Sequence, residues 1–234
     1  GWRVAAASTS FVAIPAVIVL WHNRALLDTG HHAHAAKQSG HGTFDFMRVG
    51  AVWLCFAFFF LITAAFGAIQ NFATPILQNL YQLPLGLAAT ALSTYLLAGA
   101  GGILVGGFVA QKQANDRIIA VVLGLAALLA LLLAANVVPG WAVLPLMAGI
   151  GFFSGIAGPS RDLLVRRAAT ARFGQAAYGR IYGFVYSGLD AGLAAAPLVF
   201  GGYMDRGEYA AVLIGIAVLQ AAAILTALRV GRAA

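Results

Sequence analysis

Charge is scarce in this chain. Asp, Glu, Lys and Arg make up 9% of its 234 residues, and only 7 of those are acidic. Hydrophobic residues reach 62% and the mean hydropathy is +0.89. The net charge of +7 would fit a nucleic-acid binder, but so few charged residues exclude the basic face that phosphate recognition needs. Cysteine is nearly absent: Cys55 stands alone inside an apolar run, which excludes an internal disulfide. The two lysines, Lys37 and Lys112, both fall in polar segments, so no apolar stretch offers an amine for a retinal Schiff base. No phosphate-binding glycine loop, no nucleophile–base arrangement and no pair of carboxylates on one helix is present. The chain is therefore not expected to be an enzyme, and no cofactor is implied.

What is abundant is long apolar sequence. A bilayer core about 30 Å thick needs roughly 20 apolar residues per helix. Inside lipid every backbone N–H and C=O must be satisfied within the segment, so such stretches are helical. Seven are found: Val4–Leu20, Val49 to Pro75 and beyond, Gly86–Ala110, Ile118–Ala135, Trp141–Gly158, Ile181–Tyr203 and Tyr209–Leu228. The expected fold is thus an all-α integral membrane protein with seven transmembrane helices. Residues 1–20 form the first, 21–47 a polar loop, and 48–234 a six-helix unit. Asn136 to Gly140 reads as a turn, because Pro139 cannot continue a helix and Gly140 permits the reversal. Asp205 to Glu208 is a second tight turn.

The positive charges then orient the spans. With the loop after the first span on the cytoplasmic side, Arg24, Lys37, Arg48, Lys112, Arg117, Arg161, Arg166, Arg167, Arg172, Arg180, Arg229 and Arg232 are all cytoplasmic. Only Arg3 and Arg206 lie outside, and short loops strongly favour that distribution. The first residue is expected outside and the C-terminus in the cytoplasm, with anionic lipid as a partner of the basic loops. The opening Gly1-Trp2-Arg3, without Met, suggests that helices preceding this segment are missing.

Glycines recur four residues apart at Gly102/Gly106, Gly151/Gly155, Gly179/Gly183 and Gly188/Gly192, the spacing that lets helix backbones approach. Pro75, Pro145 and Pro197 are expected to kink their spans. Asp190 is the only carboxylate well inside a span. Such a group costs a few kcal/mol in lipid (roughly 2.5–3.5 on insertion scales), so it faces water or a partner. It is a candidate for proton coupling or substrate contact, with a structural hydrogen bond as the alternative. Gln70, Asn71, Thr94, Tyr95 and Tyr186 are candidates for lining a path, or for bridging helices. The contiguous run of Phe56, Phe58, Phe59 and Phe60 points all around its helix. His31, His32, His34 and His41 sit among Ala and Gly in a polar loop, where a solvated linker is expected rather than a metal site.

Two segments carry a family resemblance. The turn Gly106-Gly107 through Gln111-Lys112-Gln113-Ala114-Asn115-Asp116-Arg117 resembles the cytoplasmic loop motif of the major facilitator superfamily, in which a glycine-ended helix meets a compact charged turn. Gly107, Lys112, Asp116 and Arg117 carry that likeness, while Gln111 stands at the acidic position, as in a degenerate second-half copy. The stretch Gly158-Pro159-Ser160-Arg161-Asp162 through Arg166-Arg167, Gly179-Arg180 and Ala196-Pro197 to Asp205 resembles the tenth-to-eleventh helix region of bacterial facilitators, most like fosmidomycin-resistance-type exporters. The resemblance implies helices six to twelve of a twelve-helix bundle in a bacterial inner membrane, with residues 48–234 as the C-terminal half. It implies proton-driven export of a small organic solute by alternating access, with Arg161, Asp162, Arg166 and Arg167 as a cytoplasmic charge network. Uptake or uniport of a sugar or organic acid would use the same fold, and a seven-helix receptor would share the topology.

Overall fold

The computed structural model describes residues 14–15, 17–22, 45–112 and 116–233. The chain divides into two units, Gly1–Gly42 and Thr43–Ala234. In the first, the described residues are helical and exposed. Most of the expected first span, the histidines from His31 to His41 and the Gln113–Asn115 part of the loop motif lie outside the described residues.

The second unit is built from helices alone among its described residues. A 3-10 turn at Asp45–Arg48 precedes α1 (Gly50–Leu80), α2 (Leu85–Lys112), α3 (Asp116–Ala134), α4 (Val143–Asp205) and α5 (Tyr209–Ala233). Among the described residues six stretches are long and apolar enough to cross a membrane: Gly50–Leu80, Leu85–Ala110, Asp116–Ala134, Gly140–Ser160, Ile181–Asp205 and Tyr209–Arg229. They coincide with the last six of the seven spans expected from sequence.

Helix α4 is 63 residues long and carries two of those stretches. A straight helix would hold Ser154 and Phe200 about 69 Å apart. Yet Ser154 meets Gln220 and Phe200 meets Gly215, positions within two turns of each other on α5. The helix therefore reverses between its two spans, with helical hydrogen bonding retained through the basic stretch. We call the Gly140–Ser160 end α4a and the Ile181–Asp205 end α4b. The central helix is α1, which touches α2, α4b and α5, while α2 packs on α4a and α3 packs on α4a and α5.

Backbone contact sets the helix directions. A Cβ on Gly188 would lie 2.8 Å from Phe56 O and one on Gly192 2.5 Å from Phe60 O, so α1 and α4b run parallel. Along the other seam a Cβ on Gly151 would strike the Tyr95 carbonyl, one on Gly155 the Gly99 carbonyl, and one on Gly102 the Phe152 carbonyl. Thus α2 and α4a are also parallel. Only glycine allows either approach, which is how helices associate where solvent supplies little drive. Three of the four expected glycine pairs are used in this way. Gly179 and Gly183 are not: nothing lies within 4 Å of a Cβ at either.

The turns differ in detail from expectation. The backbone at the Asn136–Gly140 turn reverses at Asn136, with φ 51°, rather than at Gly140. Asparagine tolerates the left-handed region, and Pro139, extended at φ −67° and ψ 154°, starts the next turn. Pro145 falls in the first turn of α4, where its missing N–H costs nothing, so the interior kink expected there is not needed. Pro75 and Pro197 do lie inside helices. Helix α1 ends with Leu83 N–H donating to Leu77 O across Gln82 at φ 53°, and Pro84 follows. Gly207, at φ 74°, closes α4 with Glu208 N–H donating to Tyr203 O.

The apolar interior falls into two clusters along the bundle. Towards the Arg48 end it holds Val52, Phe58, Phe59, Ile119, Leu123, Ile181 and Val185. Towards the far end it is smaller in side-chain size, with Ala65, Ala68, Ala73, Ala88, Ala91, Ala126 and Ala130 around Ile76, Leu77 and Ile150.

Candidate functional site

Asp190 lies on α4b about 14 Å from Ile181 along the helix. It is exposed, and among the described residues no hydrogen-bond donor or cation pairs with it. Its neighbours on the helix, Gly188 and Gly192, are buried against α1, which turns the carboxylate away from that interface. The structural hydrogen bond weighed from sequence is therefore not made within the described residues. At helical spacing, the exposed face around Asp190 presents the small residues Gly183, Ser187, Ala194 and Pro197, with Leu193 and Leu198 beside them. Ser187 Oγ donates to Phe184 O at 2.7 Å.

Below Asp190, towards the Arg48 end, aromatic rings line the α1–α4b junction. Tyr186 and Tyr182 stand one and two turns from Asp190, at i−4 and i−8. Their rings lie 4.1 Å apart, and Tyr182 Oη donates to Tyr186 Oη. Tyr186 also meets Phe59 at 5.0 Å. Beyond them Phe184 stacks on Phe56 at 5.2 Å and meets Trp53 edge-on at 5.1 Å. Phe58 and Phe59 are fully buried, whereas Phe56 and Phe60 are half-buried, so the phenylalanine run is split between interior and periphery.

The structure separates the other polar candidates from Asp190. Gln70 and Asn71 are exposed on α1, with Asn71 Nδ2 donating to Gly67 O at 2.7 Å. Since Phe60 on α1 is level with Gly192, they sit about 15 Å further along the bundle. Thr94 is half-buried and donates to Thr90 O at 2.8 Å. Tyr95 is 3% exposed, wedged where α2 meets α4a, with its ring 6.1 Å from Phe66. That burial removes Tyr95 from any open path in this unit. The five path candidates thus do not form one cluster; only Tyr186 joins Asp190.

No protein-family model, curated protein or solved structure matches this chain. Its site must be judged on its own geometry.

At the Arg48 end, Gly107 is half-buried with open space beside it, and Lys112 is the last residue of α2. Asp116 begins α3, where its Oδ1 accepts from Arg117 N–H at 3.0 Å; a carboxylate at a helix N-terminus suits the helix dipole. Asp162 is half-buried, while the side chains of Arg161, Arg166 and Arg167 lie outside the described residues. At the opposite end Arg206 pairs with Glu208 at 2.8 Å and lies over the Tyr203 ring at 4.8 Å. The Glu208 hydrogen bond and charge push the Arg206 pKa upward, so this exposed guanidinium stays charged. There too, partial burial pushes the pKa of Tyr81 up, in keeping with its role as donor to Leu133 O at 2.9 Å.

Sequence reading missed the two tyrosines acting together, although the i, i+4, i+8 spacing of Tyr182, Tyr186 and Asp190 would have shown it. It also missed Gln220, 3% exposed on α5, whose Nε2 lies 3.5 Å from Ser154 Oγ and whose Oε1 is unpartnered. Gln220 reads as the donor of a helix-bridging bond, remote from Asp190 on the α4a side. Among the described residues no three His, Cys, Asp or Glu side chains converge to hold a metal.

Proposed function

We propose that this chain is the C-terminal part of a secondary transporter of the major facilitator type, embedded in a bacterial inner membrane with its Arg48 end in the cytoplasm. It would work with N-terminal helices of the same protein, and export a small organic solute in exchange for protons. The observation that carries the reading is Asp190: an exposed carboxylate in mid-span, unpaired among the described residues, on a face where Gly183, Ser187 and Ala194 lie beside Leu193 and Leu198. A group of that kind, held at that depth, needs an aqueous cleft. Between two rocking halves such a cleft opens to one side at a time. Protonation of Asp190 removes the charge and permits the occluded state; deprotonation restores the demand for water and reopens the cleft. Gly188 and Gly192 hold α4b tightly to α1, so the two helices move as one body.

The test is flux in everted vesicles carrying the full-length protein, with a pH-sensitive dye inside and a panel of organic solutes outside. Solute addition should discharge an acid-inside gradient in the native protein and not in Asp190→Asn. Gradient-dependent flux that survives Asp190→Asn unchanged would sink the assignment of Asp190. No solute-dependent proton movement from any panel member would sink the transporter reading itself.

A further inference from the structure

We infer that the helical link 161–180, between α4a and α4b, is a docking surface for the anionic headgroups of membrane phospholipids. The inference rests on the membrane placement proposed above, not on the transported solute. Length comes first. The reversals at 81–84, 135–139 and 206–208 take three to five residues. The one after Ser160 takes twenty, all within the bounds of α4. Those twenty hold Arg161, Arg166, Arg167, Arg172 and Arg180 against the one carboxylate of Asp162, so this link carries +4 of the chain's +7. Orientation of the spans does not need them, since Arg48, Lys112, Arg117, Arg229 and Arg232 already make that end basic.

Reach and depth supply the rest. Both ends of the link are tied to spans, so even folded as two helical arms it rises at most about 15 Å beyond them. Arg161 and Arg180 then stand within about 2 Å of the span ends, and Arg166 and Arg167 within about 11 Å. Screening sets in over about 8 Å at physiological salt, so headgroups at the span ends attract these four more strongly than Arg172. Trp53 marks the depth. It is 46% exposed, five residues from Arg48, and its Nε1 donates to Met47 O at 2.8 Å, the two-sided placement of a ring at a membrane interface. Trp53 also meets Phe184 at 5.1 Å, three residues inside the span that Ile181 opens. The link therefore rejoins α4b at the level of that interfacial ring. Leu163, Leu164, Val165, Phe173 and Tyr178 are interspersed with the arginines, a mixture that suits the headgroup–acyl boundary better than a soluble polyanion.

The test measures binding of a fluorescent phosphatidylglycerol, and of the matching phosphatidylcholine, to the full-length protein in micelles of neutral detergent. One arginine near an anionic surface is worth about fivefold, so phosphatidylglycerol should bind at least about tenfold tighter at low salt. Raising the salt should shrink that preference several-fold. The triple variant Arg166→Gln, Arg167→Gln, Arg172→Gln should lose about 25-fold or more in phosphatidylglycerol affinity, with phosphatidylcholine binding and unfolding temperature unchanged. The same three positions changed to Lys should stay within about threefold of native, because the charge is kept. Arg206→Gln, at the opposite end, should leave binding unchanged. Equal binding of the two lipids by the native protein overturns the inference, as does native affinity in the Gln variant or a Lys variant as weak as it. Displacement of the lipid by inorganic phosphate or a short oligonucleotide also overturns it, by assigning the arginines to a soluble anion. A full-length protein that stays soluble without detergent would sink the membrane placement itself. Lipid selectivity without solute-driven proton movement would leave this inference standing and the transporter reading fallen.

Discussion

The six-span unit has two kinds of outer face, one largely aliphatic and one where small and polar residues interrupt the aliphatic chains. On α3 the outward residues include Val121, Leu125, Leu128 and Leu132, and on α5 Ile214, Val218 and Leu225. On α4b they include Gly183, Ser187, Asp190, Ala194 and Pro197 beside Leu193, Leu198 and Val199, and on α2 Gly86, Ala89, Thr90, Ser93 and Ala100 beside Leu87, Leu97, Ile103, Leu104 and Phe108. Branched aliphatic chains match lipid tails. Small and polar ones leave groups that lipid cannot satisfy, and they suit either a close helix or water. Exposure in the isolated unit therefore does not define one environment. Under the proposed placement, α3 and α5 look to the bilayer, while the small and polar parts of α2 and α4b look to the cleft.

The comparison is broken most severely at the seam that aims α2. Gly151 and Gly155 hold the α2 backbone against α4a and so set which side of α2 faces outward. Gly151→Leu forces the carbonyl of Tyr95 away and should cost at least about 3 kcal/mol, the upper end for overpacking. Thermal unfolding in detergent should show a large loss or no folded protein. Gly99→Ala, whose Cβ would lie 3.5 Å from Gly151 O, should cost far less. Similar behaviour of the two variants would mean that the seam is not closed as described.

A reciprocal charge exchange probes the faces directly. Leu128→Asp puts a carboxylate on the aliphatic face and should weaken membrane insertion of its helix by about 2.5–3.5 kcal/mol. Asp190→Leu should improve insertion by much less than that, because under the proposed placement the native carboxylate already has water. It should still abolish exchange. Equal and opposite changes would place Asp190 in lipid and remove the distinction between the faces.

Much of this was legible in sequence, for reasons that also explain what was not. Length and hydropathy locate spans because the bilayer demands a continuous apolar run; hence Gly86–Ala110 agrees closely with Leu85–Ala110. Asp190 stood out because a carboxylate in such a run is costly. Facing was harder. In α2 the segment Ser93-Thr94-Tyr95-Leu96-Leu97 has no single apolar side, so a rotation of about 100° per residue decides which group is buried. Exposed Ser93, half-buried Thr94 and buried Tyr95 are consecutive. That rotation is set by Gly151 and Gly155 on another helix, information absent from α2 itself. The turn at Asn136 was displaced for a related reason: a proline–glycine pair signals a reversal, but the left-handed residue is the one at the end of α3.

The smallest effect gives the sharpest reading of the α4b face. At Gly183 nothing lies within 4 Å of a Cβ, so Gly183→Ala should gain helix propensity without a clash. A stabilisation of about 0.5–1 kcal/mol is expected, seen as a modest rise in unfolding temperature. Gly192→Ala, whose Cβ would press on Phe60 O at 2.5 Å, should destabilise instead, which ties the sign to the face rather than to glycine itself. Gly183→Leu in the full-length protein then separates the two environments a small face can have. Open water accommodates the larger chain, leaving stability within about 0.5 kcal/mol and altering only flux. A helix packed on Gly183 would be pushed away, at about 1–3 kcal/mol. A loss in that range, alongside a stabilising Gly183→Ala, would move the cleft off this part of α4b and leave Asp190 at its edge.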